Sequence, residues 1–215
     1  LSAHRRLPAY DVMVLGYPAQ LDVYLARPLA RRRRVPLVMD VFMSLHLIAS
    51  ERGLVGRHPL TGRLLHAIER RALAMPDLLV QDTAEYVSWF GDSYGIAPDR
   101  FRLVPTGADD TVFRPAPPRQ PDGECRVLYY GTFIPNHGVE WIVRAAALLR
   151  REPSIRFELA GDGPDRPAAQ ALATELGLSN VSFTGWVGHD ELPARIAGSD
   201  ICLGVFGTTP QSMMT

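Results

Sequence analysis

Short apolar runs alternate with helical patterns along the whole chain. The apolar runs predict strands at 11–16, 36–41, 77–81, 101–105, 126–130, 155–160, 181–184 and 201–205. Between the strands, apolar residues recur at helical spacing in 22–33, 61–74, 83–94, 138–150, 167–176 and 190–197. Strands joined by helices of this length indicate parallel sheets with right-handed crossovers.

A proline-rich stretch divides this alternation into two runs. Residues 115–124, PAPPRQPDGE, contain four prolines and have no apolar pattern. We therefore predict an α/β protein with two Rossmann-like parallel-sheet domains. The first should comprise 1–114 and the second 125–215, with 115–124 as the linker between them.

Parts of the chain follow a pattern that is more specific than alternation. Residues 75–115 give a strand, a helix ending at Gly95, a second strand and a polar exit turn, MPDLLVQDTAEYVSWFGDSYGIAPDRFRLVPTGADDTVFRP. Three later segments each join a strand to a helix: LYYGTFIPNHGVEWIVRAAALL, RFELAGDGPDRPAAQALATELGL and VSFTGWVGHDELPARIAGSDICL. Together they resemble GT-B glycosyltransferases of family 4, over about residues 75–206. The resemblance implies a GT-B fold, with an acceptor domain followed by a donor domain, both incomplete in this chain.

The resemblance places a nucleotide-sugar donor at the carboxyl ends of the strands in the second domain. In the loop from Gly131 to Gly138, glycines after a strand and at a helix start can bring backbone N–H groups toward a phosphate. Many family members have an arginine after the first glycine and a lysine before the second. Here Thr132 and His137 occupy those positions and supply less charge. The implied donor-binding residues are Gly131, Thr132, Gly138, Gly161, Gly163, Trp186 and Val187, and His137 is a candidate catalytic residue.

Several of these positions also have structural explanations. Gly161 and Gly163 would need a third glycine at 166 to form a dinucleotide-binding motif, and Arg166 is there instead. The two glycines either line the rim of a cleft or form a plain turn between strand and helix. Trp186 either stacks on the donor base or packs as a core or rim aromatic residue.

The acceptor side has Asp40 as its candidate catalytic residue. Asp40 closes a predicted strand, and the carboxyl ends of strands line the cleft in such sheets. Family members keep a polar His or Asp near this point, so the resemblance implies that Asp40 or His46 orients an acceptor hydroxyl. Alternatively, Asp40 caps a helix or holds a loop, and His46 lies in a solvated loop.

The resemblance leads us to expect a bacterial glycosyltransferase of cell-envelope polysaccharide synthesis. It would move a sugar from a nucleotide-sugar to a lipid-linked or polysaccharide acceptor, with retention of configuration. The nucleotide-sugar is a co-substrate, and we expect no cofactor and no metal. Thr132 and His137 leave open a catalytically inactive two-domain binding or scaffold protein, and a GT-B nucleotide-sugar epimerase is a further alternative.

The ends of the chain suggest a piece of a longer protein. The chain begins without Met, and it ends just after a predicted strand. We expect it to lack the Gly-rich loop and the paired-glutamate region that the family has before and after these residues. Such a piece would be inactive alone.

The formal net charge of zero conceals an asymmetry. Residues 1–71 contain 12 Arg and 5 acidic residues, whereas residues 72–215 contain 11 Arg and 18 acidic residues. A basic first third suggests an anionic surface or substrate, and we expect no nucleic-acid partner. The run from Arg31 to Arg34 either stabilises the end of a helix or contacts anionic lipid headgroups.

The sequence also suggests a cytoplasmic location, with peripheral contact at the inner face of the plasma membrane. No apolar run approaches the roughly 20 residues that span a bilayer. The opening residues, LSAHRRLPAY, lack the apolar region of a signal peptide. Cys125 and Cys202 match no metal spacing, and we interpret both as buried free thiols of a reducing compartment.

Overall fold

The computed structural model describes residues 8–117 and 119–214. Unit 1 contains the described part of 1–106 together with Met214, and unit 2 contains 107–213. Residues 1–7, where the sequence lacks a signal-peptide pattern, lie outside the described residues, as do position 118 of the predicted linker and position 215.

Unit 1 is built on a four-stranded parallel sheet with strand order β1-β2-β3-β4. Its strands are β1 Met13–Leu15, β2 Leu37–Asp40, β3 Leu78–Gln81 and β4 Phe101–Leu103. Its helices are α1 Val23–Arg33, α2 Leu45–Glu51, α3 Leu54–Arg57, α4 Pro59–Leu73 and α5 Ala84–Tyr94. Leu37, Met39 and Leu79 are fully buried and form one core with Phe90 of α5.

Unit 2 has its own four-stranded parallel sheet, with strand order β7-β6-β5-β8. Its strands are β5 Cys125–Tyr130, β6 Ile155–Ala160, β7 Val181–Thr184 and β8 Ile201–Leu203. Its helices are α6 Val139–Leu148, α7 Arg166–Glu175 and α8 Leu192–Ala197. The core centres on Phe133, Val143 and Leu159, which have no exposed surface. The prediction of two Rossmann-like parallel sheets is therefore confirmed.

The hydrophobic pattern does not predict α2 and α3, which fill the segment between β2 and α4. The helix α2 has only seven residues, and an isolated helix of that length is not stable in water. Ser44 caps it, because its hydroxyl accepts a hydrogen bond from the Leu47 N–H at 3.1 Å. A second capping group comes from Glu69 on α4, far along the chain, so a local pattern cannot reveal it.

The described part of the Pro-rich segment falls within unit 2. The boundary lies between 106 and 107, whereas we predicted a first domain that ends at 114. Arg119 explains part of this difference, because its guanidinium donates to the Asp200 carboxylate at 2.6 Å and to the Glu124 carbonyl at 2.5 Å. The Phe113 ring also makes an edge contact with His189, at 5.3 Å between centroids. Met214 belongs to unit 1, where its carbonyl accepts a hydrogen bond from the Thr83 hydroxyl at 2.8 Å.

The structure also bears on membrane crossing and on the two cysteines. Within them, no helix combines the length and apolar character needed to cross a membrane. The expectation that both cysteines are buried is wrong for Cys202, which is exposed, while Cys125 is half-buried. Cys202 lies on β8, and this strand is at the edge of its sheet.

Candidate functional site

The carboxyl edge of the unit 2 sheet brings three glycines into one row. Tyr130, Ala160 and Thr184 are aligned partners at the ends of β5, β6 and β7. Each is followed by a glycine, at 131, 161 and 185. The Gly131 N–H donates to the Ala160 carbonyl at 3.0 Å, so the pairing continues past the end of the strands. The predicted residues Gly131 and Gly161 therefore lie side by side.

Gly161 has to be glycine for a steric reason. Its φ of +131° is a conformation that side chains rarely adopt, and a Cβ there would overlap the carbonyl oxygen of Gly131. Its N–H donates to the carbonyls of Thr184 and Gly185, both at 3.1 Å. This glycine therefore joins the loop ends of three strands, which is a structural role at the predicted cleft rim.

The loop after β5 interlocks with the loop after β6. The Phe133 N–H donates to the Asp162 carbonyl at 2.9 Å, and the Asp165 N–H donates to the Phe133 carbonyl at 3.0 Å. A Cβ on Gly163 would lie 2.5 Å from the Phe133 carbonyl oxygen, so this glycine permits the close approach. The buried Phe133 ring packs against Tyr129 and anchors the loop. The two predicted loops are thus hydrogen-bonded to each other at the sheet edge.

His137 is held at the end of this loop by Tyr129. The Tyr129 hydroxyl lies 2.8 Å from His137 Nδ1 and 3.0 Å from the Thr132 carbonyl oxygen. Burial lowers the pKa of His137 below its ordinary value, and the hydrogen bond with the Thr132 carbonyl opposes this effect. Burial also raises the pKa of Tyr129 to about 12. At neutral pH both side chains are therefore uncharged.

The tautomer of His137 determines what it can offer a ligand. If Nδ1 carries the proton, it donates to Tyr129, which donates in turn to Thr132, and Nε2 is left as an acceptor. If Nδ1 accepts from Tyr129, Nε2 carries the proton and can donate to a phosphate oxygen. The contact with Tyr129 uses Nδ1, so Nε2 is the nitrogen that can face a ligand. An anionic ligand would favour the second tautomer or the protonated ring.

Gly138 has a different environment from the other predicted residues. Its φ is +62°, and a Cβ there would lie 2.5 Å from the Phe206 carbonyl carbon, because the segment after β8 passes close by. The Phe206 N–H also donates to the His137 carbonyl at 2.9 Å. Gly138 lines a groove of about 450 Å³ beside α6 and α7, and none of the other predicted donor-site residues is among its described lining.

This groove is acidic and does not suit a diphosphate. Glu140 and Asp165 line it, with Arg144 as the cation. The pKa of Asp165 is raised by burial and then by the negative charge of Glu140. A phosphate near Gly138 would therefore be better accommodated on the side of the loop that faces Gly131.

Trp186 and Val187 follow the third glycine of the row. Trp186 is 72% exposed, so the alternative that it packs in the core does not apply. Val187 is half-buried. An indole presented beside an edge of backbone amides is suited to stacking on a planar ring.

Unit 1 presents two carboxylates at the carboxyl edge of its own sheet. Asp40 ends β2, and Asp82 follows the end of the neighbouring strand β3. The pKa of Asp40 is raised by burial and by the charge of Asp82, while a hydrogen bond from the Phe42 N–H lowers it. Asp82 Oδ1 is buried and has no partner among the described residues. A raised pKa makes Asp40 a better base than an exposed aspartate.

The turn after Asp40 is held in an unusual conformation. Phe42 has φ of +48°, a region that residues with side chains seldom adopt. Two buried amides hold this turn: Gln20 Nε2 donates to the Met43 carbonyl at 2.7 Å, and Gln81 Nε2 donates to the Phe42 carbonyl at 3.1 Å. This arrangement fixes the backbone beside Asp40, which is what a positioned catalytic group requires.

His46 is part of a buried network and not of a solvated loop. Glu69 is 1% exposed and accepts hydrogen bonds from the Ser44 hydroxyl, the Tyr94 hydroxyl and two backbone N–H groups of α2. The pKa of His46 is lowered by burial and by the nearby His66, while the charge of Glu69 opposes these effects. Glu69 therefore positions the start of α2.

Sequence reasoning missed the supporting groups of both edges. Tyr129, Gln81 and Glu69 lie within predicted strands or helices, and Gln20 lies in the short connection between a predicted strand and a predicted helix. The only available signal was polarity itself, since Gln81 and Glu69 interrupt apolar patterns. In the described part of the chain, no group of three or more His, Cys, Asp or Glu is placed to hold a metal ion.

Sequence comparison relates the chain to sugar-transferring enzymes. The family model described as glycosyl transferases group 1 matches residues 124–209. The D-inositol 3-phosphate glycosyltransferase of Nocardia farcinica is 36% identical over 126 residues, which cover 52% of this chain and 28% of that protein. The protein of the same name from Acidothermus cellulolyticus is 31% identical over 191 residues, or 80% of this chain and 41% of that protein.

Structural comparison extends the likeness over both units. Sucrose-phosphate synthase from Thermosynechococcus elongatus superposes with a TM-score of 0.73 at 18% identity, covering 96% of this chain and 54% of that one. HepE of Anabaena, in complex with UDP, superposes with a TM-score of 0.68 at 16% identity, and the match covers 94% of this chain and 53% of that one. The chain thus spans about half the length of these structures and less of the curated relatives. Residues 124–209 match the group 1 glycosyl transferases, and the chain has the fold of these GT-B structures.

Proposed function

We propose that this chain provides the donor-binding and acceptor-binding surfaces of a glycosyltransferase. The enzyme would move a sugar from a nucleotide-sugar to a lipid-linked or polysaccharide acceptor, with retention of configuration and without a cofactor or metal. The observation that carries the proposal is the row formed by Gly131, Gly161 and Gly185 at one sheet edge. The match to the group 1 family supports sugar transfer, and the UDP complex of HepE supports a nucleotide at this fold.

On the donor side, backbone groups would bind the diphosphate. The loop GTFIPNHG contains no Arg or Lys, and the lowered pKa of His137 leaves it uncharged at neutral pH. The N–H groups of Gly131, Phe133 and Gly161 already donate to carbonyls of the protein. The Thr132 hydroxyl, His137 Nε2 and those backbone N–H groups of the loops that are not so engaged would therefore donate hydrogen bonds to the phosphates. Trp186 would stack on the base, with Val187 beside it.

On the acceptor side, Asp40 would accept a proton or a hydrogen bond from the acceptor hydroxyl. Its raised pKa and the fixed turn at Phe42 support this role. The two curated relatives named above act, by name, on D-inositol 3-phosphate, which supports a hydroxylated acceptor. The basic first third supports a cytoplasmic protein with peripheral contact to an anionic membrane.

The nucleotide site can be tested by calorimetry with UDP. Base stacking contributes about 1–3 kcal/mol, so Trp186→Ala should weaken UDP binding by about tenfold or more. Trp141→Ala is the matched control, because Trp141 is 45% exposed in the same unit but lies on α6. Absence of UDP binding, or equal loss in both variants, would contradict the proposed site.

One observation favours a second candidate, nucleotide-sugar binding without catalysis. His137 replaces a family cation, and its lowered pKa removes even the charge it could carry at neutral pH. A measurement of UDP release from UDP-glucose separates the two candidates when it is made on the longer protein of which this chain would be a piece, in a sample that binds UDP. Release above the spontaneous rate supports the transferase, and binding without release supports the second candidate.

A further inference from the structure

A basic pocket lies at the opposite edge of the unit 1 sheet from Asp40. It has a volume of about 460 Å³ and is lined by four arginines and one acidic residue, together with Ala74, Met75 and Pro76. The arginines are Arg27 and Arg31 of α1, Arg71 of α4, and Arg100 just before β4. The acidic residue is Asp77, which lies just before β3.

Two of the four guanidinium groups are held in place. Arg27 donates to both oxygens of Asp77, at 2.6 and 2.9 Å, and Asp77 also accepts from the Leu37 N–H at 2.8 Å. Arg100 donates to the Pro76 carbonyl at 2.6 Å. The carboxylate of Asp77 is thus engaged, and its pKa is lowered by the hydrogen bond from Arg27 and by the charge of Arg100.

The other two guanidinium groups, of Arg31 and Arg71, have no partner among the described residues, and both side chains are exposed. Arg31 follows Arg27 by one helical turn, so the two lie on the same face of α1. With one carboxylate against four arginines, the pocket retains three uncompensated positive charges.

Helix capping does not account for this arrangement. Basic residues in the last turn of α1 and α4 complement the helix dipole, which would explain Arg31 and Arg71 alone. Arg27 lies in the middle of α1, and Arg100 lies outside any α-helix. Their convergence with the other two on one pocket needs another explanation.

We propose that Arg27, Arg31, Arg71 and Arg100 form a binding site for a phosphate group. Guanidinium groups bind phosphate oxygens through paired, charge-assisted hydrogen bonds, and three net charges match a dianionic or pyrophosphate group better than a carboxylate. The site is separated from Asp40 by the length of β2, roughly 13 Å for four strand residues. It is therefore distinct from the proposed acceptor site and does not depend on sugar transfer.

The phosphate could belong to a lipid headgroup or to a soluble phosphorylated compound, and two probes distinguish these sources. Inorganic pyrophosphate, titrated by calorimetry, tests the soluble source. Vesicles of phosphatidic acid and phosphatidylcholine, used in cosedimentation, test a headgroup that carries a phosphomonoester. The variant is Arg31→Gln with Arg71→Gln, which removes the two unpartnered charges and keeps good helix formers.

The matched control is Arg32→Gln with Arg70→Gln. These exposed arginines are the chain neighbours of Arg31 and Arg71 and do not line the pocket. Replacing them removes the same net charge as the pocket variant does. The pocket variant should lose about tenfold in affinity for one or both probes, and the control less than about twofold. Loss for pyrophosphate alone identifies a soluble ligand, and loss for vesicles alone identifies a headgroup. Equal losses in both variants, or no binding of either probe by the unmodified chain, would overturn the proposal.

Discussion

Replacing Glu69 with Gln should destabilise unit 1 strongly. The carboxylate is 1% exposed, with Oε2 accepting from Tyr94 at 2.6 Å, Ser44 at 2.7 Å and the His46 N–H at 3.1 Å. Oε1 accepts from the Leu45 N–H at 2.7 Å. A glutamine has one acceptor oxygen, so its NH₂ group must face at least one of these donors.

The magnitude follows from the groups that lose an acceptor. A buried donor left unsatisfied costs about 1–3 kcal/mol, and hydrogen bonds to a charged group contribute about 1.5–3 kcal/mol each. The carboxylate also lies at the N-terminus of α2, where the helix dipole favours negative charge. Removing the charge relieves some desolvation cost, which offsets part of the loss. We therefore expect Glu69→Gln to lower the free energy of unfolding by about 2–4 kcal/mol.

Urea denaturation followed through Trp89 measures this effect in unit 1 alone. Trp141 and Trp186, both in unit 2, are first replaced with Phe, so that the remaining indole is in unit 1, where its ring centroid lies 5.7 Å from that of Tyr94. Glu85→Gln is the control, since it removes an exposed acid from the first turn of α5. This control should cost at most about 1 kcal/mol. If Glu69→Gln shifts the midpoint no more than the control does, the buried network does not hold α2 and our reasoning is wrong.

Three further predictions concern the two sheet edges. Gly161→Ala should destabilise unit 2 by about 2–4 kcal/mol in urea denaturation, because the added Cβ would overlap the Gly131 carbonyl oxygen. Gly177→Ala is the control: a Cβ at Gly177 would have no atom within 4 Å, so this substitution should cost only about 1 kcal/mol. Asp40→Asn should raise the urea midpoint of unit 1 at pH 7, because burial and the charge of Asp82 disfavour the ionised form of Asp40. A lower midpoint would refute that cost. The pKa of His137 lies below its ordinary value, so the ring becomes charged only as the pH falls below about 6.5. Below that pH, the UDP affinity of the unmodified chain should rise more steeply than that of His137→Gln. Parallel plots of UDP affinity against pH for the two proteins would rule out contact between the charged ring and the diphosphate.

The stability consequences of the two pKa shifts have opposite signs. Asp40 has a raised pKa, so its favourable contribution is complete at low pH and is lost as pH rises through the folded-state pKa. His137 has a lowered pKa, so its contribution is present above about pH 6.5 and is lost as pH falls through the folded-state pKa. Because the two groups lie in different units, Trp89 should report only the first effect.

The strands could be predicted because each is a short apolar run buried in a parallel sheet. Six-residue β5 and β6 carry enough apolar residues to stand out, and their observed limits lie within one residue of the prediction. The helix α2 could not be predicted, because its stability comes from Glu69 on another helix. The docking of 107–124 on unit 2 was also hidden, since it depends on the pairing of Arg119 with Asp200, far apart in the chain. The glycines after strands were visible in the sequence, but their alignment depends on strand register.

Acidic and basic residues of unit 1 lie at opposite edges of its sheet. The proposed catalytic carboxylate Asp40 and its neighbour Asp82 lie at the carboxyl edge of unit 1, while the arginines of the phosphate pocket lie at the amino edge. If those arginines lay beside Asp40, they would stabilise its ionised form and lower its pKa, which would weaken it as a base. Burial and Asp82 instead raise the pKa. The separation therefore lets one small sheet keep a basic carboxylate at one end and bind an anion at the other.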